Sequence, residues 1–288
     1  LAERKFMGSA LDHLRRLRGS IKAAQKWKRI NFSDVPSLFG NAMPKSGSHL
    51  VLQILQGLAG VAPFRYVAPK PIRMITPAGR NRTTDEILSD LQRLKSGTID
   101  WGYLRSEPAY LQFFAEHPQV LSFFVYRDPR DRLISSIFYA VDIHKAHAQH
   151  DFYASLPMAE RITAAIQGRD EPGLLHLPNV REQYQRYLDW LTCPLVLCLR
   201  FEDLIQQPDR SLSAILDFIE SRGFHIPTPR QKALAVIKEA IQPKKSPTFR
   251  KGKAGGWREH FTEEHKRLFK AVAGEVLIQL GYERDNDW

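Results

Sequence analysis

An α/β fold, a single domain with a central parallel β-sheet flanked by helices, is predicted by three features of the sequence. Short, nearly continuous apolar runs stand at Ser37–Met43 (SLFGNAM), Leu121–Tyr126 (LSFFVY) and Leu195–Phe201 (LVLCLRF). Strands covered on both faces of a parallel sheet have this composition. Segments of helical period lie between and after them, so the strands are joined by crossover connections. The 288 residues, without internal repeat or long low-complexity stretch, supply one large core.

Residues 1–30 stand apart as a basic amphipathic helical segment. Met7, Leu14, Leu17, Ile21, Ala24 and Trp27 recur at helical spacing among Arg15, Arg16, Arg18, Lys22, Lys26, Lys28 and Arg29. Such a stripe docks on the main domain, residues 31–288, with peripheral contact to an anionic membrane as the alternative. After the first strand a helix starts near Ser48 and runs through Ala59, followed by one over Thr84–Leu94. After the second strand Asp128 suits an N-cap and Pro129 a first helical turn, giving a helix over Arg130–Val141. Further helices are expected over Met158–Gln167, Val180–Leu191, Leu212–Glu220 and Glu263–Leu280, and loops over Arg169–Pro178 and Gln242–Gly256.

A formal net charge of +11 predicts anionic company, a nucleotide, an acidic polymer or a phospholipid surface. Cys193 and Cys198 exclude a disulfide-rich framework and are too few for a structural zinc site. No apolar run approaches the roughly 20 residues that span a bilayer. No signal-peptide core is visible either, so the reading is of a cytoplasmic protein. His144, His147 and His150 recur in three-residue steps, which do not keep all three rings on one helix face. They are read as solvent-facing or acceptor-lining, with no metal.

Three basic elements carry the chemistry. In PKSGSHL the strand ends at Met43 and a helix begins near Ser48, so free N–H groups meet Lys45 and the hydroxyls of Ser46 and Ser48. Gly47 lets the backbone approach an anion closely. Pro44 stands where a Walker A loop needs glycine, which weakens a P-loop kinase reading. Arg127 ends the second strand, where ligands of open α/β sheets bind, and Ser135 lies on the helix beyond it. The segment FRKGKAGGWREHFT sets Arg250, Lys251 and Lys253 beside Gly252, Gly255 and Gly256. Each element alone is compatible with an ordinary turn, a surface ion pair or a solvated loop.

Together, PKSGSHL, RDPRDRLIS, LCLRFEDL and RKGKAGGWREHFT resemble, in order and spacing, the motifs of the sulfotransferases that use 3′-phosphoadenosine-5′-phosphosulfate (PAPS). The resemblance runs from about Pro36 to Tyr282 and implies a P-loop NTPase-like fold. It implies that Lys45, Ser46, Gly47, Ser48 and His49 hold the 5′-phosphosulfate. It further implies that Arg127, Ser135, Arg250, Lys251 and Gly252 hold the 3′-phosphate, and that Phe201 lies near the adenine. Lys45 would neutralise the bridging oxygen as the nucleotide leaves, without a metal.

The base that takes the acceptor's proton departs from the family pattern. Tyr103 falls where small-molecule members carry a histidine, and Gln53 falls near the glutamate of glycosaminoglycan-type members. A tyrosine of ordinary pKa, about 10, is a poor base at neutral pH. His49, Asp100, Glu107 and His144 are the other candidates. Polar and aromatic residues in the variable parts, Val61–Asp100 and Ala140–Pro178, favour a carbohydrate or glycolipid hydroxyl over a lipid or phenol. Nucleic acid is not the expected partner. A P-loop kinase and a catalytically inactive anion-binding relative are the alternatives.

Overall fold

A computed structural model describes residues 17–66, 70–76, 79–171, 176–245 and 252–288. Four strands, β1 (Ser37–Ala42), β2 (Ile99–Gly102), β3 (Val120–Tyr126) and β4 (Val196–Arg200), form one sheet in the order β2-β1-β3-β4. All three pairings are parallel, with Gly40 opposite Phe123 and Phe124 opposite Cys198. The chain leaves β1 toward one side to form β2 and returns past it to form β3. The carboxyl ends of β1 and β3 therefore flank a topological switch point, where open α/β sheets bind ligands.

Alternation along β1 divides the core. Leu38 faces a cluster with Val51, Ile54, Leu55, Leu216 and Ile237. Phe39 faces the opposite cluster, with Phe114, Phe124, Ile134 and Phe269. Every residue of β1 is buried, as a strand covered on both faces must be. The first cluster is covered by α2 (Ser48–Val61), α10 (Pro208–Ser221) and α11 (Arg230–Ala240). Gly40 lets α2 lie close to β1, since a Cβ there would lie 2.5 Å from Val51 Cγ1. The second cluster is covered by α4 (Pro108–Glu116), α5 (Pro129–Phe138), α7 (Met158–Gln167), α8 (Val180–Gln185) and α12 (Glu263–Gln279). Shorter elements are α3 (Thr84–Leu91), α6 (His150–Ala154) and α9 (Phe201–Gln206), and a π-helical turn, Tyr139–Ile143, continues α5.

Several elements differ from the sequence reading. Met7 and Leu14 lie outside the described residues. The described part of the basic segment is α1, residues 17–27, and it docks through a different face than its apolar stripe suggests. Gly19 and Ala23 point inward, Trp27 packs at the edge, and Leu17 and Ile21 are exposed. Small residues let the helix lie close, and Lys26 Nζ donates to Gly60 O at 2.7 Å. The expected helix over Val180–Leu191 breaks after Gln185 and resumes as a 3-10 turn at Leu188–Thr192. There the indole of Trp190 donates to Leu104 O at 3.0 Å in the core. Phe201 starts α9 rather than ending a strand. The expected loop Gln242–Gly256 contains short 3-10 turns at Pro243–Lys245 and from Gly256.

Both cysteines are free and half-buried. Burial pushes the Cys198 thiol up to about 12, which keeps it unreactive. Among the described residues no helix is long and apolar enough to cross a membrane.

Candidate active site

The loop from β1 to α2 is shaped for an anion by its backbone. Lys45 and Gly47 both take left-handed conformations, φ 69° and 91°, which curl the chain around Ser46. Ser46 is fully buried, yet its Oγ has no hydrogen-bond partner. A buried orphan hydroxyl costs about 1–3 kcal/mol. Gly47 provides no side-chain cap to α2, and the first turn of α2 carries no acidic residue, so its N–H groups keep their positive end open. A Cβ on Gly47 would lie 2.5 Å from the Phe201 ring, so that ring walls the loop on one side.

Arg127, at the end of β3, joins the separated motifs. Its Nη1 donates to Lys45 O at 3.4 Å and its Nη2 to Lys253 O at 3.2 Å. The guanidinium lies 4.7 Å from the centre of the Phe201 ring and 3.9 Å from the Asp131 carboxylate. Its Nε is buried without a partner. Asp131 in turn accepts from Gly255 N at 2.7 Å and Trp257 N at 2.8 Å, fixing the late glycine-rich loop to α5. Burial raises the Asp131 carboxyl, and the Arg127 charge opposes that rise. Beside this junction a cavity of about 420 Å³ is lined by Ile205, Gln206, Gly252, Lys253 and Glu259. Its size is that of a ligand pocket.

Aromatic and histidine side chains gather around Lys45 and the start of α2. Its ammonium sits 4.0 Å over the ring of Tyr139, the residue that opens the π-helical turn. Tyr103 follows β2 and donates its hydroxyl proton to Ser48 Oγ at 3.0 Å. Burial pushes the Tyr103 phenol up. His49, in the first turn of α2, is half-buried, and burial together with the Lys45 charge holds its imidazole below the usual range. Burial likewise lowers His147, with smaller contributions from His144, His150 and Lys45. His147 Nδ1 accepts from Gln149 N at 3.2 Å, so in the neutral ring its proton is on Nε2. His144 is exposed, its ring 5.5 Å from that of Tyr139. His150 Nδ1 donates to Ala140 O at 2.9 Å.

The structure thus brings Lys45, Ser46, Gly47, Ser48, His49, Tyr103, Arg127, Phe201 and the loop after Gly252 to one end of the sheet. Ser135 lies half-buried two turns into α5. Arg250 and Lys251 are outside the described residues. Tyr103 is poorly suited to act as a base, since burial pushes its phenol up and its hydroxyl donates to Ser48 Oγ. Asp100 is buried within β2, and Glu107 is the N-cap residue before α4. Gln53 turns away and exchanges two hydrogen bonds with the backbone of Gln242.

Three residues escaped the sequence reading as site components: Asp131, Arg132 and Tyr139. Buried Arg132 donates to Pro44 O at 3.0 Å and to Gln183 Oε1 at 2.7 Å, bracing the loop from behind. The dense charge of RDPRDR before an apolar helix was the one local signal for the first two.

Residues 112–281, more than half of the chain, match the sulfotransferase domain family. The chain belongs to this family and is a sulfotransferase. No curated protein matches it by sequence. Among solved structures it is similar to mouse sulfotransferase SULT7A1 complexed with PAP, at 14% identity and TM-score 0.56, over 86% of this chain and 90% of that one. It is also similar to retinol dehydratase in complex with androsterone and inactive cofactor PAP, at 16% identity and TM-score 0.53, over 90% and 85% of the two chains. A complex of retinol dehydratase with retinol and PAP aligns at 16% identity and TM-score 0.55, over 86% and 84%. At these identities the likeness is one of fold.

Proposed function

We propose that residues 31–288 form a catalytic domain that moves a sulfuryl group from PAPS to a hydroxyl acceptor, with residues 1–30 as a basic accessory segment. The observation that carries this reading is the bonding of Arg127 to the backbone of both Lys45 and Lys253. Two anion-seeking loops, distant in sequence, are thereby tied to one guanidinium. The orphan hydroxyl of Ser46 supports the fit, because an oxygen-rich anion in the loop would satisfy it. The PAP in the related complexes supports the nucleotide assignment.

PAPS supplies the sulfuryl group and a bisphosphate leaving group. Ser46, Gly47, Ser48 and the first turn of α2 would hold the 5′ end. Arg127, Ser135, Gly252 and, from the sequence pattern, Arg250 and Lys251 would hold the 3′-phosphate. Phe201 supports the nucleotide between them as the wall against Gly47 and Arg127. Lys45 meets the negative charge that develops on the bridging oxygen as its bond to sulfur breaks. The acceptor oxygen forms the new bond to sulfur, and its proton passes to His49. The environment of His49 favours the neutral imidazole that this step needs. Tyr103 holds Ser48 in place rather than taking a proton.

On the acceptor side Tyr103 and Tyr139 present aromatic surface to a ring-bearing alcohol. A sugar or glycolipid hydroxyl is supported by the polar composition of the variable segments. The androsterone and retinol of the related complexes make an apolar ring alcohol the other arm of the test. Labelled donor is incubated with both classes of acceptor and the products are separated. Lys45→Ala is expected to lower transfer roughly 10²–10³-fold, the usual loss for one group that stabilises developing charge. Undiminished transfer in that variant would falsify the role of Lys45.

A further inference from the structure

The late loop, whose Lys253 O accepts from Arg127, is not held by that bond alone. It is gripped from behind by the segment 282–288, to which neither the motifs nor the family assignment gives a role. Arg130, on the first turn of α5, is almost wholly buried and forms ion pairs with Asp128 at 2.7 Å and Glu283 at 2.6 Å. Its guanidinium lies 4.2 Å from the ring centre of Trp257 and 4.5 Å from that of Trp288. The two indoles meet edge to face with centroids 5.6 Å apart. Trp257 is the residue whose N–H is fixed by Asp131, the neighbour of Arg127.

The grip has a second point. Tyr282 donates to Glu202 Oε2 at 2.6 Å, and Glu202 Oε1 accepts from Asp128 N at 3.1 Å, so the segment also braces the turn that follows Arg127. Trp288 is seated further on Phe269 and under the Lys270 ammonium, on α12. Cation–π contacts of a desolvated guanidinium and charge-assisted bonds are strong individually, and here they share one arginine.

We propose that Glu283 and Trp288 are positioning residues for the nucleotide loop: they clamp Arg130 against Trp257 and thereby keep the loop backbone, Gly252 to Trp257, in its donor-binding shape. The clamp acts through Trp257 and touches no reacting atom. It rests on the sulfuryl-donor reading only for what the loop binds; that the loop is held by the segment stands without it.

Two readouts separate those parts. Amide hydrogen exchange at Gly255 and Trp257 is measured in the ligand-free full chain for wild type, Trp288→Ala, Trp288→Phe and Glu283→Gln. The clamp predicts at least tenfold faster exchange in Trp288→Ala and Glu283→Gln at these two amides, beyond any change in the β3 amides, and protection restored in Trp288→Phe. Calorimetry with adenosine 3′,5′-bisphosphate on the same proteins predicts affinity weakened about tenfold or more in the first two variants. In turnover the KM for donor rises and that for acceptor stays. Should Trp288→Ala fail to fold, Glu283→Gln answers alone. Unchanged exchange at Gly255 and Trp257 in a folded variant overturns the clamp. Altered exchange with no bisphosphate binding in wild type leaves the clamp standing and overturns the donor assignment instead.

Discussion

Burial acts on His49 and Tyr103 in the same sense and gives them opposite chemistry. Each loses water and each therefore resists its charged form. For the imidazole the neutral form is the proton acceptor, whereas for the phenol it is the proton donor. Lys45 adds to the effect on His49, since a nearby positive charge disfavours an imidazolium. The sign for activity follows from the proposed role: with His49 as the base, transfer persists as pH falls through 6.5, the ordinary histidine value, and is lost only below it. An acid limb in kcat at or above that value contradicts the assignment. Removing the Lys45 charge lets the His49 pKa rise, which NMR titration of Lys45→Ala reads directly. Tyr103→Phe loses one neutral hydrogen bond, about 0.5–1.5 kcal/mol, so a several-fold fall in rate with an unmoved pH profile is expected. Lys45, Gly47 and Arg127 were legible in the sequence as candidates because local chemistry at a strand end marks them. Asp131, Arg132 and Tyr139 were not, because each acts on backbone or charge brought from far along the chain.

At the scale of elements, the β1–loop–α2 unit concentrates the strain and the open polar groups of the site. Gly47 combines a φ of 91° with a Phe201 ring that leaves no room for a methyl group. Gly47→Ala therefore forces both a disfavoured backbone and a displaced ring, a cost of about 1–3 kcal/mol for the backbone alone. Urea unfolding reads that loss, and bisphosphate affinity falls with it, since the same ring stacks on Arg127. A stability equal to wild type in that variant contradicts the loop geometry. The strands of continuous apolar character and the longer amphipathic helices were readable by period. β2 was not: IDWG is four residues long and carries Asp100, so only its pairing with β1 makes it a strand. The breaking of Val180–Leu191 and the inward face of α1 were set by tertiary packing, which period alone does not encode.

Taken whole, the molecule sets Lys45, Arg127 and Lys253 together where the chain crosses from one side of the sheet to the other. A net charge of +11 promised an anion without choosing one. The choice follows from the arrangement: the Lys45–Ser48 loop on one side of Arg127, the glycine-rich loop on the other, and a cavity of about 420 Å³ between α9 and that loop. A nucleotide phosphorylated at two ends engages both; one phosphorylated at a single end engages half. Adenosine 3′,5′-bisphosphate at a hundred times its Kd stabilises the native chain by about 2.7 kcal/mol. For chains of this order a kcal/mol moves Tm by roughly 2–4 °C, so melting rises by roughly 5–10 °C. The rise persists in EDTA, because lysine, arginine and helix N–H groups supply the positive charge. It shrinks with added salt, as exposed parts of the contact are screened. ATP with magnesium at equal concentration gives a smaller shift, lacking the 3′-phosphate. Arg127→Ala removes most of the bisphosphate shift, while Arg127→Lys keeps charge but cannot bridge two carbonyls and restores only part of it. Equal shifts for the two nucleotides, or a shift abolished by EDTA, would place the specificity elsewhere than in the Arg127 junction.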